Sequence, residues 1–514
     1  MAWPWPAEHV AVKERPFWTT NSPTGHENRR PDDLLSQLDG KFSICIASAD
    51  GLCLATDLIG AGPVYYAPRG RRVFYATHLG LLLWLLDETP DINLLGAVSI
   101  LISRAQIERE THFRNIFRLG AGERLIASRG DDDLAFSTGR YANVAEVLSR
   151  DTDGMPTGPD AFGELLAASI AREKYPAKTV LMLSGGRDSK SIALARPDRN
   201  YTAVTFGTSD SRNLRHARLL AAGLGVEHRQ VPYDEWTYGT FAKQIIGLTA
   251  GASGLQTAHM MVGFAWARQL SSLTISGFLG GSMTGQRHGA DEASTARPRI
   301  SSLCCHLDPE DSDLRGAFPG EVGHLLEVVR VQHAALSGLS PAQSLMIQDW
   351  TIRQASFISL VFDLAEWYCD VSHPFYYRPL MRFMFHRPFT DLRKQSFYDA
   401  WIAAATARSE LRGLRLRQKV DDALAITQSL VRKRCLPRPS ISWPAVTDRS
   451  RAWLEQALAE GSGPFRDLSR RSYEITLRNR RHRIPTFLLS IPLMLATERD
   501  WQAGSLMQPP SSIA

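Results

Sequence analysis

The sequence has few cysteines, and none of them has a spacing that holds a metal. Six cysteines are present in 514 residues, and only Cys304 and Cys305 lie close together. The absence of a CxxC pair or a Cys/His cluster argues against a structural zinc site. Isolated thiols are typical of a reducing compartment, so we expect a cytoplasmic protein.

Long apolar runs are missing as well. The longest runs, at residues 79–86 and 486–495, fall short of the ~18 residues that indicate a membrane-spanning helix. The opening MAWPWPAEHV lacks the basic flank and apolar centre of a secretory signal. We therefore expect no membrane span and no export signal.

The charge balance is mildly basic. The formal net charge is +6, and much of the excess lies in arginine clusters at residues 412–419 and 478–483. Such clusters either cover solvated helix faces or form a surface for an acidic or phosphate-bearing ligand. They lack the aromatic–basic pattern of nucleic-acid binding, so we do not expect a nucleic-acid partner.

The apolar pattern changes near residue 150. Before it, short β-branched runs alternate with turn-forming residues, which predicts antiparallel hairpins. After it, strand and helix patterns alternate, which predicts a parallel sheet with crossover helices, and helical patterns dominate beyond residue 320. The predicted units are residues 1–150, a Gly/Pro-containing linker at 151–160, residues 161–430 and a helical extension at 431–514.

One turn carries most of the chemical information. VLMLSGGRDSKSIALA (residues 180–195) passes from a strand through two glycines into a helical pattern. Such a turn offers unpaired N–H groups at a helix N-terminus, where the dipole favours an anion. Glycine permits close approach and positive φ there. The turn therefore predicts a phosphate loop; the alternative is an ordinary strand–helix connection capped by Asp and Ser.

The polar side chains of this turn fit a phosphate that carries a cation. Ser184 and Ser189 can donate hydroxyl hydrogen bonds. Asp188 would repel a bare phosphate but is a suitable ligand for phosphate-bound Mg²⁺. The Walker motif is excluded because Lys190 follows the glycines too soon.

The motif SGGRDS resembles the SGGxDS pyrophosphate loop of the N-type ATP pyrophosphatases. Other segments resemble one subfamily, the asparagine synthetases. LDGKFSICIA and RRVFYATH are similar to parts of its glutaminase domain, and ISGFLGG and SHPFYYRPLMRFMFHRP are similar to parts of its synthetase domain. The resemblance extends over residues 36–420, with gaps.

The resemblance implies an α/β fold in two parts. An α+β sandwich of the N-terminal-nucleophile (Ntn) type precedes a parallel-sheet PP-loop ATP-pyrophosphatase domain with a helical C-terminal part. The implied chemistry uses ATP and Mg²⁺ to adenylate a carboxylate, releases pyrophosphate, and lets an amine displace AMP. Asparagine synthetases, β-lactam synthetases and lasso-peptide macrolactam synthetases share it and differ in the carboxylate and the amine.

The resemblance also implies a nucleotide site. Asp188 would hold Mg²⁺, Arg187 would add charge at the variable position of the motif, and Val204 and Phe206 would border the adenine. The implied nucleotide-binding residues are Ser184, Gly185, Gly186, Arg187, Asp188, Ser189, Val204, Phe206 and Gly277.

Two catalytic positions are implied as well. Asp370 stands where the family has an acidic residue before its PF motif. Lys394 stands where a lysine neutralises charge on the phosphate and on the tetrahedral intermediate. Lys419 is the next candidate for that lysine. The alternative is that Asp370 and Lys394 are ordinary surface charges.

The chain departs from the family at the expected glutaminase nucleophile. The family uses a cysteine directly after Met1, and this sequence has Ala2 there. Cys45 and Cys53 lie inside predicted strands. We therefore expect no glutamine hydrolysis by the usual route, and a first domain that serves as a scaffold.

A second departure concerns the metal. Relatives place an acidic Mg²⁺ ligand where this sequence has Gly281 or Ser282. Its place could be taken by Asp210, Asp291, Glu292 or another residue.

These observations predict an ATP-dependent amide-forming ligase without glutaminase activity. A lasso-type macrolactam synthetase is favoured, with a precursor peptide as substrate and a leader peptidase as partner. One alternative is an asparagine-synthetase-like enzyme that uses external ammonia. Another is a catalytically weak pseudoenzyme that acts as a binding or scaffold subunit; the missing acid favours it, and the intact SGGRDS motif opposes it.

Overall fold

A computed structural model gives the fold over most of the chain. Ala2 and residues 436–514 of the predicted extension lie outside the described residues. The described residues are 10–12, 31–47, 51–88, 91–129, 134–150, 154, 158–173, 176, 178–196, 198–207, 211–231, 237–254, 257–289, 291, 316, 318–409 and 411–435.

Two antiparallel sheets form the first part of the chain. Their strands are β1 (Val10–Val12), β2 (Ser43–Ala47), β3 (Gly51–Thr56), β4 (Tyr65–Arg69), β5 (Arg72–Ala76), β6 (Phe117–Arg118), β7 (Glu123–Arg129) and β8 (Leu134–Arg140). The larger sheet has the order β1-β2-β3-β7-β8 and the smaller has the order β5-β4-β6. The hairpins β2–β3 and β4–β5 are antiparallel, which confirms the prediction from the turn residues.

Four helices accompany these sheets: α1 (Pro31–Gln37), α2 (Leu79–Leu86), α3 (Leu94–Ser103) and α4 (Val144–Ser149). The apolar helix α2 packs on β5, and its Leu79 and Leu82 are fully buried. Burial thus explains one face of the apolar run at 79–86, whereas Trp84 and Leu85 are exposed. Among the described helices, none combines the length and the apolar character needed to cross a bilayer.

A parallel sheet with crossover helices forms the second part. Its elements up to residue 283 are α5 (Pro159–Ala171), β9 (Val180–Met182), α6 (Arg187–Ala195), β10 (Thr202–Phe206), α7 (Arg212–Leu224), β11 (His228–Val231), α8 (Thr237–Thr249), α9 (Ala258–Ala267), β12 (Leu273–Ile275) and α10 (Gly280–Met283). A fifth strand, β13 (Asp370–Ser372), pairs with β12, and every pairing in this sheet is parallel. The fold is therefore mixed α/β, and the predicted alternation of strands and helices is confirmed.

Local sequence signals fix the helix that backs the site. Ser211 begins α7 as its N-cap, where its hydroxyl accepts the N–H of Leu214. Gly225 ends the helix in the left-handed conformation that glycine adopts without strain, at φ 66°. The apolar face between these ends, which includes Leu220 and Leu224, is buried.

The strand order places a switch point between β9 and β12. The strand order of this sheet is β11-β10-β9-β12-β13, so β9, which comes first of these five strands along the chain, lies in the middle. Crossovers lead away from β9 toward one edge and later return to its other side. Ligands of open parallel sheets bind at the carboxyl ends of the strands at such a point. The residues that follow β9 and β12 lie there.

Helices make up most of the remaining described chain, as predicted for residues beyond 320. They are α11 (Pro319–Ala334), α12 (Pro341–Gln348), a π-helix (Asp349–Ile358), α13 (Ser359–Ala365), α14 (Arg378–Phe385), α15 (Phe389–Leu392), a 3₁₀ turn (Arg393–Gln395), α16 (Ser396–Arg408) and α17 (Leu414–Cys435). Strand β13 and the π-helix interrupt this region and were not predicted.

The two parts of the chain share a buried polar contact. The carboxylate of Asp57, just after β3, accepts a hydrogen bond of 2.6 Å from the Tyr376 hydroxyl. Asp57 also accepts backbone N–H groups, among them those of Ala61 at 2.9 Å and Gly62 at 2.6 Å. Burial raises the pKa of Asp57, while these hydrogen bonds oppose the rise. Removing any one donor would leave a buried carboxylate less well satisfied.

A buried ion pair strengthens the same contact. The Nζ of Lys41 lies 2.7 Å from Asp363 and 2.6 Å from Glu366, both on or beside α13. Burial disfavours the charge of Lys41, but the two carboxylates outweigh it and raise its pKa.

Candidate functional site

The glycine loop (residues 183–186) joins β9 to the N-terminus of α6. Two serines tie it together. Ser189 accepts the N–H of Ser184 through Oγ at 2.9 Å, and the Oγ of Ser184 accepts the N–H of Gly186 at 3.1 Å. The N-terminus of α6 therefore lies against a fixed turn at the carboxyl edge of the sheet, as an anion site requires.

Close packing explains the glycine at position 185. A Cβ there would lie 2.7 Å from the Cβ of His216 and 3.2 Å from the Cα of Asn213, both on α7. Neither Gly185 nor Gly186 is among the described residues with positive φ, so the left-handed freedom of glycine is not used. The loop needs glycine because α7 passes directly behind it.

Asp188, in the first turn of α6, is a buried carboxylate at this edge. The Tyr398 hydroxyl donates to its Oδ1 at 3.2 Å. Burial raises the pKa of Asp188 to about 6, although Tyr398 and the N–H of Gly281 oppose the shift by hydrogen bonding. A carboxyl with this pKa is poorly solvated when ionised, and a bound cation would stabilise its ionised form.

Glycines surround Asp188 on its other side. A Cβ on Gly277 would lie 2.8 Å from the Cβ of Asp188, and a Cβ on Gly280 would lie 2.7 Å from its Cγ. Side chains at these positions would displace the carboxylate. The turn after β12 is therefore shaped to admit Asp188, and it places Gly277 beside the first turn of α6.

A cleft of about 330 Å³ opens at the switch point. This volume lies within the roughly 300–1,000 Å³ range of small-molecule sites. One wall is the glycine loop and the start of α6, a second is β10, a third is the turn after β12, and the last is the π-helix with α13. The residues that line it include Ser184, Asp188, Ser189, Val204, Phe206, Gly277, Gly281, Ser282, Arg353, Gln354 and Phe362.

The β10 wall is apolar. Val204 is buried in the strand, and Phe206 lines the cleft near the strand's end. Phe206 packs so closely on α9 that a Cβ on Gly263 would lie 2.4 Å from its ring. An aromatic ring held in this way offers a flat surface to a planar group. Both residues therefore line the cleft.

Arg187 is engaged by another helix. Its Nε and Nη2 donate to the two carboxylate oxygens of Asp399 at 2.6 and 2.9 Å, and its Nη1 donates to Gln395 at 3.1 Å. This two-pronged ion pair joins the start of α6 to α16. Arg187 thus holds neighbouring structure in place, whereas the sequence suggested that its charge would add to the phosphate site.

Lys394 is not among the residues that line the cleft, although the next residue, Gln395, contacts Arg187. The side chain of Lys394 is exposed, and this residue and Gln395 have left-handed backbones with φ of 54° and 59°. The side chain of Gln395 donates to Thr284 at 2.7 Å and so anchors this turn near α10. Two consecutive left-handed residues without glycine are strained, and anchored strain of this kind is common at functional sites. Lys419, the other candidate lysine, is exposed on α17.

Asp370 lies at the opposite edge of the sheet. It is the first residue of β13 and pairs in parallel register with Leu273, the first residue of β12. The cleft lies where these strands end. The structure therefore does not bring Asp370 to the predicted site. Asp370 begins β13, and the cleft lies at the other end of that strand.

A carboxylate from another helix contacts Ser282, one of the two positions of the missing acid, but does not line the cleft. Ser282 donates a short hydrogen bond to the carboxylate of Asp349, the first residue of the π-helix. Gln354 donates to the same oxygen at 3.1 Å. Of the suggested substitutes, Asp291 is exposed, whereas Asp210 and Glu292 lie outside the described residues. Sequence reasoning missed Asp349, which no motif marks.

A group of side chains behind the loop resembles a metal site. Ligand atoms of His216, Asp421 and Asp422 lie within 4.8 Å of one another. Arg215 donates to Asp421 at 2.7 Å, and Arg212 lies 3.0 Å from Asp422. Arginines therefore already neutralise these carboxylates, and the group ties α17 to α7.

The fold and the cleft together define an α/β protein with a cleft at the switch point of a parallel sheet. No family model matches the chain, and no curated protein matches it.

Proposed function

We propose that the protein is an ATP-dependent ligase that adenylates a carboxylate and forms an amide from it. One observation carries the proposal: a helix N-terminus, a serine-tied glycine loop and the buried carboxylate of Asp188 meet in a cleft at the switch point. These groups are the ones that would bind a nucleoside triphosphate together with a divalent cation.

The residues of the cleft fit ATP and Mg²⁺. Ser184, Ser189 and the N-terminal N–H groups of α6 would hold phosphate, and Asp188 would hold the cation. Among the described residues that line the cleft, Asp188 is the single carboxylate. The apolar wall formed by Val204 and Phe206 suits an adenine ring. Bound MgATP would supply an activated α-phosphate for attack by the substrate carboxylate, with pyrophosphate leaving.

The finer architecture is part of the same proposal. The parallel-sheet part would be a PP-loop ATP-pyrophosphatase domain, and the antiparallel part an Ntn-type domain without glutaminase activity. Neither described cysteine of the antiparallel part is activated. Burial raises the pKa of the Cys53 thiol to about 11, and burial also raises the pKa of Cys45. A thiol of this kind is a poor nucleophile near neutral pH.

A ligase without its own ammonia source needs an amine from elsewhere. An amine in the same molecule as the carboxylate gains a large effective molarity when both ends are held in one site. The favoured reaction is therefore a lasso-type macrolactam closure on a precursor peptide, with a leader peptidase as partner. Reaction with external ammonia is the alternative within the same chemistry.

A second function is favoured by the metal side of the site. Gly281 carries no carboxylate, and Asp188 already receives hydrogen bonds from Tyr398 and Gly281. A protein with this arrangement could bind a nucleotide without turning it over, as a binding or scaffold subunit.

Two measurements separate these functions. Isothermal titration of the full chain with MgATP tests nucleotide binding, and pyrophosphate release is then followed with a panel of carboxylic acids and linear peptides. Binding with acid-dependent release supports the ligase. Binding without release for any acid supports the binding subunit. Absence of binding would refute both.

A further inference from the structure

The π-helix brings two side chains to one carboxylate. The Nη1 of Arg353 lies 3.8 Å from the Oδ1 of Asp349, and Gln354 donates to its Oδ2 at 3.1 Å. In an α-helix of 3.6 residues per turn, the fifth residue ahead points about 140° away. The wider π-helical turn, with its i→i+5 hydrogen bonds, lets positions four and five ahead reach the same side chain.

These groups are buried and incompletely hydrogen-bonded. Asp349 is 1% exposed, and its Oδ1 has no hydrogen-bond partner. The Nε of Arg353 is likewise buried without a hydrogen-bond partner. A second guanidinium, that of Arg287, lies 4.0 Å from Asp349. Two arginines thus face one carboxylate. The buried atoms of Asp349 and Arg353 that lack hydrogen-bond partners call for a ligand or water.

Arg353 also lies where a ligand of the cleft would meet it. It lines the cleft on the wall formed by the π-helix, and among the described lining residues it is the single basic one. Asp349 and the ring of Phe357, 5.8 Å below the guanidinium, fix its position. A guanidinium held in this way binds oxyanions with little further loss of entropy.

We infer that Arg353 binds the α-phosphate of the nucleotide and of the acyl adenylate made from it. This inference rests on the proposed function. The helix N-terminus and Asp188 would take the terminal phosphates with their cation, and the β10 wall would take the base. The phosphate between them is then the one that faces the π-helix. Gln354 donates to the same carboxylate and so helps to hold Asp349, the partner of Arg353, in place.

The experiment compares nucleotides that differ in their phosphates. Affinities for adenosine, AMP and MgATP are measured by isothermal titration for wild type, Arg353→Gln and Arg353→Lys. Loss of one charged hydrogen bond weakens binding about tenfold or more. Arg353→Gln should therefore bind AMP and MgATP about tenfold more weakly, with adenosine unchanged, and Arg353→Lys should recover part of the loss.

Two controls separate charge from folding. Arg330→Gln removes an exposed arginine that is paired with Glu327 on α11, and all three affinities should stay at wild-type values. The double variant Asp349→Asn/Arg353→Gln removes both buried charges, so it should fold while keeping the AMP defect. Thermal unfolding of each variant monitors the fold.

The remaining outcomes overturn the inference. Unchanged AMP affinity in a folded Arg353→Gln variant would exclude the contact. An equal loss for adenosine and AMP would show that Arg353 only supports the cleft wall. If wild type binds none of the three ligands, the proposed function itself fails, and the inference fails with it.

Discussion

Replacing Asp188 by asparagine separates two effects of the buried carboxylate: its cost to folding stability and its proposed role as a ligand of the cation. Burial raises the pKa of Asp188 from 3.8 to about 6. Each pKa unit corresponds to about 1.36 kcal/mol, so the ionised group costs folding up to about 3 kcal/mol when no cation is bound. Asparagine has nearly the same shape and still accepts a hydrogen bond, but it carries no charge.

The pH dependence of this cost has a definite sign. The folded-state pKa lies above the unfolded one, so protonation favours the folded state at low pH. Stability is lost as the pH rises from 3.8 toward about 6 and is constant above that. In urea unfolding without Mg²⁺ or nucleotide, Asp188→Asn should gain up to about 2 kcal/mol over wild type between pH 4.5 and 7.5.

Activity should move in the opposite direction. The same variant should release no pyrophosphate with MgATP and any acid that wild type accepts, because the cation loses its carboxylate ligand. A constant stability difference across this pH range would refute the burial argument. Pyrophosphate release at the wild-type rate by the folded variant would refute the proposed role of Asp188.

Three further substitutions test other parts of the site and the fold. In Gly281→Asp the new Cβ lies 3.5 Å from the Oδ2 of Asp188 and requires only the end of the Gln286 side chain to move. Mg²⁺ at about 100 times its Kd should then stabilise this variant by about 2.7 kcal/mol, but not Gly281→Asn; equal responses of the two would contradict a metal site there. Lys394→Asn introduces a residue that tolerates positive φ, so the variant should fold normally. It should lower kcat without weakening MgATP binding. Normal turnover in the pyrophosphate assay would show that Lys394 takes no part in the reaction. Tyr376→Phe leaves Asp57 without its hydroxyl donor and should cost about 1–3 kcal/mol in urea unfolding, whereas no loss would mean that the backbone N–H groups alone satisfy the carboxylate.

The sequence was informative wherever local patterns decide structure. The alternation of strands and helices after residue 161 predicted the parallel sheet, because apolar runs bounded by glycine and polar turns leave few other solutions. The glycine loop was predicted for the same reason. In the structure, glycine at position 185 is needed for another reason, because it makes room for His216 on a helix that comes later in the chain. Contacts of that kind do not appear in local sequence.

The unpredicted parts of the site depend on geometry between distant segments. Asp349 reaches Ser282 across 67 positions, and a π-helix has no sequence signature comparable to a glycine turn. For Asp370, the sequence predicted a place in the site that the structure does not give it. Its closeness in sequence to the PF motif suggested a catalytic position, but the direction of β13 places it at the far edge. Proximity along the chain is a poor guide when a strand lies between two residues.

The buried contact of Asp57 with Tyr376 has a consequence for how such a protein can change over time. Apolar residues from both sides of this contact, including Ile59 and Phe375, belong to one hydrophobic cluster. Deleting the antiparallel part would expose that cluster. It would also remove Asp57, the carboxylate to which the Tyr376 hydroxyl donates its hydrogen bond. Selection would thus retain the antiparallel part whether or not it performs a reaction of its own, because the other part cannot fold to the same stability without it.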